Sequence, residues 1–169
     1  MDGEMLRLIQ TLNTLDGPAN ITEIVAGSGL SRGKVLGNLP KLCMVGFVDK
    51  QGSQYYISEK GRTVLGELES VPENKGFHFY IEEGVYMGLT AYSLKDFHDI
   101  IRTVDVKSIE FHMQRKDFEN WVREVLRDGE LASEIAEIGN SGVLGESLQV
   151  GLYEAVDRNY KMLSLLITH

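Results

Sequence analysis

The chain is organised around residues 29–56, whose sequence is GLSRGKVLGNLPKLCMVGFVDKQGSQYY. Within this stretch Val35, Leu39 and Leu42 recur at helical spacing. Ser31 precedes them, where its hydroxyl can cap the helix by accepting a backbone N–H. Gly46-Phe47-Val48 then ends the helix and begins a strand. The stretch therefore predicts a turn, an amphipathic helix and a strand in direct succession.

A hairpin is predicted after this helix. Residues 47–50 and 54–57 are strand-like, and Gln51-Gly52-Ser53 between them has the composition of a tight turn. Ser58 is placed to cap a further helix, which Val71-Pro72 ends.

Two helices are predicted upstream. Apolar residues between positions 5 and 15 recur at helical spacing, and Asp16-Gly17-Pro18 ends that helix. Asn20 and Glu23 have the form of a capping box at the start of the second helix. Gly27-Ser28-Gly29 is predicted as the turn before the third helix, because glycine tolerates a positive φ.

These elements carry a resemblance to a known family. The residues concerned are Leu30-Ser31-Arg32-Gly33-Lys34-Val35, Gly46-Phe47-Val48 and Ile57-Ser58-Glu59-Lys60-Gly61-Arg62. They resemble the winged helix-turn-helix of prokaryotic regulators over roughly residues 1–70. The resemblance implies a recognition helix, a wing formed by the hairpin, and double-stranded DNA as the partner.

The predicted DNA-contact surface uses polar residues that the apolar stripe of the third helix leaves free. Arg pairs bidentately with guanine and Asn with adenine, which makes Arg32 and Asn38 the candidate base readers, while lysines contact phosphates. The full predicted set is Arg32, Lys34, Asn38, Lys41, Lys50 and Gln54. An alternative stays open, because an ordinary solvated helix face has the same composition and many winged helices bind proteins.

Pro40 lies inside the predicted recognition helix. It removes a hydrogen bond to the carbonyl of Leu36 and costs about 3 kcal/mol in an unadapted helix. Gly33 and Gly37 weaken the helix further. We therefore expect either a kinked helix whose first turns enter the major groove, or a helix that does not read DNA.

The distribution of charge bears on the choice of partner. The chain has a formal charge of −8 and a pI of about 5.0. Residues 1–75 hold eight of the 17 basic residues and nine of the 25 acidic ones, so the two parts carry −1 and −7. A nearly neutral first half with clustered cations is compatible with DNA, whereas the acidic second half is not.

The glycines around the predicted turn do not form a nucleotide-binding motif. A P-loop requires Gly-Lys-Ser/Thr five positions after a glycine, but Ser28 lies five before Gly33 and Val35 follows Lys34. In the dinucleotide pattern the third glycine would fall at Arg32, and the preceding segment is helix-like.

The second half predicts a hairpin followed by helices. Residues 77–81 and 85–91 are strand-like, with Glu82-Glu83-Gly84 between them. Ser93 is placed to cap the next helix, residues 140–145 are predicted as a loop, and residues 146–167 as a long final helix. The predicted class is α+β, mostly α, with a winged-helix domain at 1–71, a linker at 72–76 and a helical domain at 77–169.

Part of this half resembles an uncharacterised domain found mainly in archaeal proteins. The residues concerned are Ala91-Tyr92-Ser93-Leu94, Ser108-Ile109-Glu110-Phe111-His112, Arg115-Lys116-Asp117-Phe118-Glu119-Asn120-Trp121 and Glu130-Leu131-Ala132. The resemblance covers roughly residues 77–138. It implies an archaeal source and a compact helical module, but no chemistry.

No catalytic or metal-binding motif is found. His78, His98 and His112 lack a metal-ligand spacing such as H-E-x-x-H, and no nucleophile is paired with a base. We expect no enzyme activity, cofactor or metal. The best polar cluster is His112 with Asp117 and Trp121, for which a hydrogen-bonded core histidine is the simpler interpretation. Five tyrosines could line a ligand cavity or belong to the core: Tyr80, Tyr86, Tyr92, Tyr153 and Tyr160.

The remaining expectations concern location and assembly. The start of the chain lacks a signal peptide and the single Cys43 forms no internal disulfide, which favours a cytoplasmic protein without membrane contact. Residues 162–167 are apolar nearly all round, which favours a homodimer. A protein partner or a small ligand is expected at the C-terminal domain.

Overall fold

The computed structural model describes the backbone of residues 3–168 and the side chains of residues 3–164. The chain forms two compact units. The N-terminal unit comprises the residues up to Leu65 and those from Leu163 onward, and the C-terminal unit comprises residues 66–162. The described residues are mostly helical with two small antiparallel hairpins, which confirms the predicted α+β, mostly α class.

The first part of the chain folds as three helices, a hairpin and a further helix. The elements are α1 (Glu4–Leu15), α2 (Ile21–Ser28), α3 (Arg32–Met44), β1 (Val48–Gln51), β2 (Gln54–Ile57) and α4 (Glu59–Leu68). This order is the one that the apolar spacing predicts.

The predicted caps are confirmed. Asn20 Oδ1 accepts the Glu23 N–H and the Glu23 carboxylate accepts the Asn20 N–H, both at 2.9 Å. Ser31 Oγ accepts the Lys34 N–H at 3.3 Å, and Ser58 Oγ accepts the Gly61 N–H at 2.9 Å. These bonds satisfy N–H groups that a helix start otherwise leaves unpaired.

The turn between α2 and α3 is tighter than predicted. Helix α2 continues through Ser28, so Gly27 is helical and only Gly29 adopts a left-handed conformation, with φ +66°. Ser28 Oγ accepts the Leu30 N–H at 3.2 Å, which fixes the chain as it turns into α3.

The hairpin, which we call the wing, consists of β1 and β2. Its antiparallel register pairs Val48 with Ile57 and Gln51 with Gln54, which leaves a two-residue turn. The first strand begins one residue later than predicted. Phe47 is instead buried behind α3, where its N–H donates to the Leu42 carbonyl at 3.0 Å.

The core of the N-terminal unit is aliphatic. Each large side chain removed from water contributes about 1.5–3 kcal/mol as an upper estimate. The fully buried residues are Leu8, Ile9, Leu12, Ile24, Val35, Leu39 and Leu42. They lie on the inner faces of α1, α2 and α3, so they fix the orientation of α3 and determine which of its faces is exposed.

The C-terminal unit contains the second hairpin and most of the remaining helices. Its elements are β3 (Phe77–Glu82), β4 (Val85–Ala91), α5 (Leu94–Thr103), α6 (Val106–Gln114), α7 (Asp117–Glu124), α8 (Gly129–Asn140) and the part of α9 (Gly145–Thr168) up to residue 162, preceded by a 3₁₀ turn at Glu73–Lys75. The Ser93 cap is confirmed by its bond from the Asp96 N–H at 3.1 Å. The predicted loop at 140–145 is shorter, because Asn140 still belongs to α8 and Gly145 already begins α9.

Aromatic side chains fill the core of this unit. The ring centroids of Phe77 and Phe79 are 5.0 Å apart, and that of Phe97 lies 5.2 Å from that of Phe118. Trp121 packs at 5.7 Å from Phe77 and donates its indole N–H to the Lys75 carbonyl at 2.9 Å. Trp121 thus supports the core but is not hydrogen-bonded to the predicted His112 cluster.

A buried carboxyl pair joins three elements of the same unit. Asn159 Nδ2 donates to Glu67 Oε1 at 3.1 Å and to Asp128 Oδ2 at 2.7 Å, and Asp128 Oδ1 accepts the Leu131 N–H at 2.9 Å. Burial raises the pKa of Glu67 to about 10, with further contributions from its hydrogen bond to Asp128 and from the Asp128 charge. Glu67 is therefore protonated near neutral pH and can donate to Asp128.

Candidate nucleic-acid interface

Helix α3 is anchored by its inner face and capped at its start. Val35, Leu39 and Leu42 are buried, while Ser31 fixes the first turn. The helix is continuous across Pro40, which is exposed. Water can therefore reach the Leu36 carbonyl that Pro40 leaves without a backbone donor.

Lys34 and Asn38 are both bound to a carboxylate on another helix. Lys34 Nζ lies 2.5 Å from Glu4 Oε1, and Asn38 Nδ2 donates to Glu4 Oε2 at 3.0 Å and to the Lys34 carbonyl at 3.0 Å. Glu4 begins α1, and its side chain is only 13% exposed. Two of the predicted contact residues thus help to attach α3 to α1.

Arg32 and Lys41 lie on the exposed side of α3, near its two ends. Within residues 3–164 the structure gives neither side chain an ion pair or a hydrogen bond. Arg32 occupies the first turn, where a recognition helix usually contacts base edges.

Lys50 and Gln54 lie on the wing and are exposed. Lys50 Nζ is 5.6 Å from the centroid of the Tyr55 ring, its partner in the strand register, which makes a weak cation–π contact. Gln54 begins β2 next to the turn. The amide and the ammonium are accessible to solvent on neighbouring strands.

Two further cations that follow the wing in sequence, Lys60 and Arg62, form contacts within the domain. Lys60 Nζ donates to the Val45 carbonyl at 3.0 Å, just beyond the end of α3. Arg62 lies 3.1 Å from Asp16 and 3.3 Å from the Asn13 amide oxygen. Both side chains hold α4 against neighbouring elements.

The most outward face of α3 is apolar, a feature that the sequence analysis missed. Gly33, Leu36, Gly37, Pro40 and Met44 are spaced three and four residues apart, so they share one exposed face. Leu36 is 46% exposed and Met44 is 86% exposed. The spacing is present in the sequence, where Gly33, Gly37 and Pro40 also predict a weakened helix.

Comparison with known families supports the winged-helix interpretation of this unit. A family model described as winged helix-turn-helix matches residues 6–75. Residues 6–75 form a winged helix-turn-helix domain. In this domain α3 occupies the position of the recognition helix, and the hairpin of β1 and β2 occupies that of the wing. At this coarse level the domain supports a DNA-binding regulator.

No curated protein and no solved structure matches the chain. The resemblance of residues 77–138 to an archaeal domain therefore has no support beyond the residues that suggested it. Among the described residues, no helix is both long and apolar enough to cross a membrane.

The histidines of the C-terminal unit have separate partners. His78 Nδ1 lies 2.8 Å from Thr90 Oγ1, and His98 lies between Asp99 and Asp157 at 2.9 and 2.8 Å. Within the described part of the chain no three His, Cys, Asp or Glu side chains form a group that could hold a metal ion.

His112 is a hydrogen-bonded core histidine, which confirms the simpler interpretation. Its Nε2 accepts the Tyr80 N–H at 2.8 Å, so its Nδ1 carries the proton and donates to Asp117 Oδ2 at 2.8 Å. Burial lowers the pKa of His112, although Asp117 acts in the opposite direction.

The five tyrosines have different surroundings. Tyr80 lines a cleft between the hairpin of β3 and β4 and the α6–α7 region. The Tyr86 hydroxyl bonds to Thr90 at 2.7 Å, and Tyr153 and Tyr160 pack on His98 with centroids 5.1 and 4.5 Å away. Tyr92 packs beside Gly76.

Proposed function

We propose that the protein is a DNA-binding transcriptional regulator, with a C-terminal unit that serves in assembly, sensing or partner contact. The observation that carries the proposal is the winged helix-turn-helix domain itself, in which α3 presents Arg32 on its exposed first turn. The wing adds Lys50 and Gln54. The proposed contact surface keeps all six predicted residues. Arg32 and the two wing residues are already accessible, whereas Lys34 and Asn38 leave the Glu4 carboxylate when they bind DNA.

The test is a fluorescence-anisotropy titration of the full chain with labelled duplex DNA at several salt concentrations. Contacts between cations and phosphates release counterions, so the logarithm of the binding constant should fall steeply and linearly with the logarithm of salt concentration. The full chain is required, because the residues from Leu163 onward belong to the N-terminal unit. Absence of duplex binding at low salt and tens of micromolar protein contradicts the proposal.

A second candidate function is that of a winged-helix adaptor that binds a protein. The apolar outward face of α3 favours it, because an exposed Leu36 and an exposed Met44 suit a protein surface better than base edges or phosphates. The salt-dependent duplex titration separates the two functions, and the double variant L36S/M44S then tests whether the apolar face takes part in duplex binding. A DNA reader that works through Arg32 and the wing keeps its duplex affinity in this variant.

We also propose that the regulator works as a homodimer, since paired half-sites usually require two copies related by a two-fold axis. Met162 is exposed, while Leu163 is buried within the chain. The side chains of Leu165, Leu166 and Ile167, on which the prediction also depended, lie outside those described. Light scattering behind a sizing column should give twice the chain mass of 18.9 kDa. A monomer at tens of micromolar contradicts this assembly.

A further inference from the structure

The C-terminal unit contains an open cleft between β3 and the α6–α7 region. Its volume is about 530 Å³. Ligand sites in proteins are usually about 300–1,000 Å³ and combine aromatic walls with a few polar groups. Residues of β3, of the turn after it, and of α6 and α7 line the cleft.

The inner wall of the cleft is aromatic, and its buried polar groups are satisfied. Both nitrogens of His112 are hydrogen-bonded, to the Tyr80 backbone and to Asp117. The indole N–H of Trp121 donates to the Lys75 carbonyl. The wall therefore presents the rings of Tyr80, Phe111 and Trp121, and among the described side chains that line it no buried donor lacks a partner.

Arg115 supplies the basic group of the cleft. Its guanidinium carbon lies 5.1 Å from the centroid of the Phe111 ring, and its Nε donates to Asp117 Oδ2 at 3.2 Å. The side chain is 53% exposed, and within the described residues no partner is found for its two terminal nitrogens. Those nitrogens form the edge that binds a carboxylate in a bidentate manner.

The charge around the cleft suits a single negative charge on the ligand. Asp117 already accepts from His112 and Arg115, so its carboxylate is engaged. Glu83 lies at the exposed turn, where water and salt screen it. One arginine can balance one negative charge. The second charge of a phosphate dianion would be repelled by the two carboxylates, whereas a monoanion can lie on the outer edge of Arg115.

We propose that this cleft binds a small planar aromatic molecule that carries one carboxylate. Its ring packs against Tyr80 and Phe111 at the edge of Trp121, and its carboxylate accepts from the terminal nitrogens of Arg115. The site narrows the role of the C-terminal unit to sensing. Only the role of this ligand as an effector rests on the proposed function. Binding of the ligand is measured without DNA and does not depend on it.

The experiment compares 2-naphthoate with uncharged 2-naphthamide as probes of the full chain. Calorimetry gives the affinities. The chain has one tryptophan, so the single indole N–H peak in a ¹⁵N NMR spectrum reports on the Trp121 wall of the cleft. We expect 2-naphthoate to bind about tenfold more tightly than the amide and to shift this peak.

Variants then assign the binding to Arg115. R115Q should lower the affinity for 2-naphthoate about tenfold. R115K keeps the charge but loses the planar fork, so its affinity should lie between those of R115Q and the unsubstituted protein. R123Q is the matched control, because Arg123 is an exposed arginine of α7 that does not line the cleft. Thermal melting checks that each variant is folded.

Several outcomes overturn the proposal. These are failure of 2-naphthoate to bind at millimolar concentration, equal affinity for acid and amide, and unchanged affinity in folded R115Q. Binding that leaves the indole peak unmoved also overturns it. None of these outcomes depends on whether the chain binds duplex DNA.

Discussion

In the N-terminal unit Arg32, Lys41 and Lys50 lie at the surface, whereas in the C-terminal unit Glu67, Asp128 and His112 lie inside and bond to partners within the unit. Exposed cations contribute little to the free energy of unfolding but are available to a polyanion. Buried titratable groups are not available to a polyanion, but they change the free energy of unfolding because their protonation is coupled to folding. Substitutions in the two units should therefore change different measurements, duplex affinity in the first and the free energy of unfolding in the second.

The largest effect is expected at Glu67. Its pKa in the folded protein, raised to about 10, exceeds its ordinary value of 4.5, so the folded state holds a proton that the unfolded state releases. Its contribution to stability is therefore fully present below about pH 4.5 and is lost as pH rises towards 10, by at most about 1.4 kcal/mol per pH unit.

The variant E67Q should flatten this loss of stability and raise the free energy of unfolding at pH 8, because a neutral amide can donate to Asp128 without deprotonating. Urea unfolding between pH 5 and 9 measures it. The matched control is E69Q, at an exposed glutamate next to the same helix. If E67Q has the same pH dependence as the unsubstituted protein, the buried carboxyl pair does not hold a proton.

Substitution of Arg32 should change DNA binding and leave stability unaltered. At the preferred site, obtained by selection from random duplexes, R32A is expected to cost about 1–3 kcal/mol, and less on unrelated duplexes. The melting temperature should stay unchanged, because the structure gives Arg32 no partner within residues 3–164. An equal loss on all duplexes would make Arg32 a phosphate contact instead of a base reader.

A smaller effect is expected at Glu4. This carboxylate is bound to Lys34 and Asn38, so E4Q removes a negative charge beside the recognition helix and loosens both side chains from α1. Duplex affinity should rise a few-fold, with a small loss of stability. E124Q, an exposed glutamate of the C-terminal unit, is the control. A lower affinity in E4Q would show that Glu4 positions the two side chains for DNA.

The sequence predicts the local architecture well because its signals act over a few residues. The Asn20–Glu23 box, the Ser31 cap and the tight turn at Gly52 each depend on neighbours within four positions. These signals, with the apolar spacing, were sufficient for the helices and the wing.

The candidate site was less predictable, since its decisive contacts join distant residues. Glu4 and Asn38 are 34 positions apart, and outside the site Glu67 and Asn159 are 92 apart. No local pattern indicates such pairs. The cleft had one local signal, because Phe111 and Arg115 are four residues apart in sequence and their side chains meet.

The most direct test of DNA binding by this domain is the salt dependence of duplex affinity for R32A/K50A, compared with K107A/R123A. Each double variant removes two exposed cations, but the second pair lies on α6 and α7. The logarithm of the affinity falls as the logarithm of the salt concentration rises, and each lost phosphate contact reduces the magnitude of this slope by about 0.9. Because Lys50 is the phosphate contact of this pair and Arg32 is the base reader, we expect R32A/K50A to lower the slope by about 0.9 and K107A/R123A to leave it unchanged. Equal slopes for both variants, or the larger change in K107A/R123A, would contradict DNA binding through α3 and the wing.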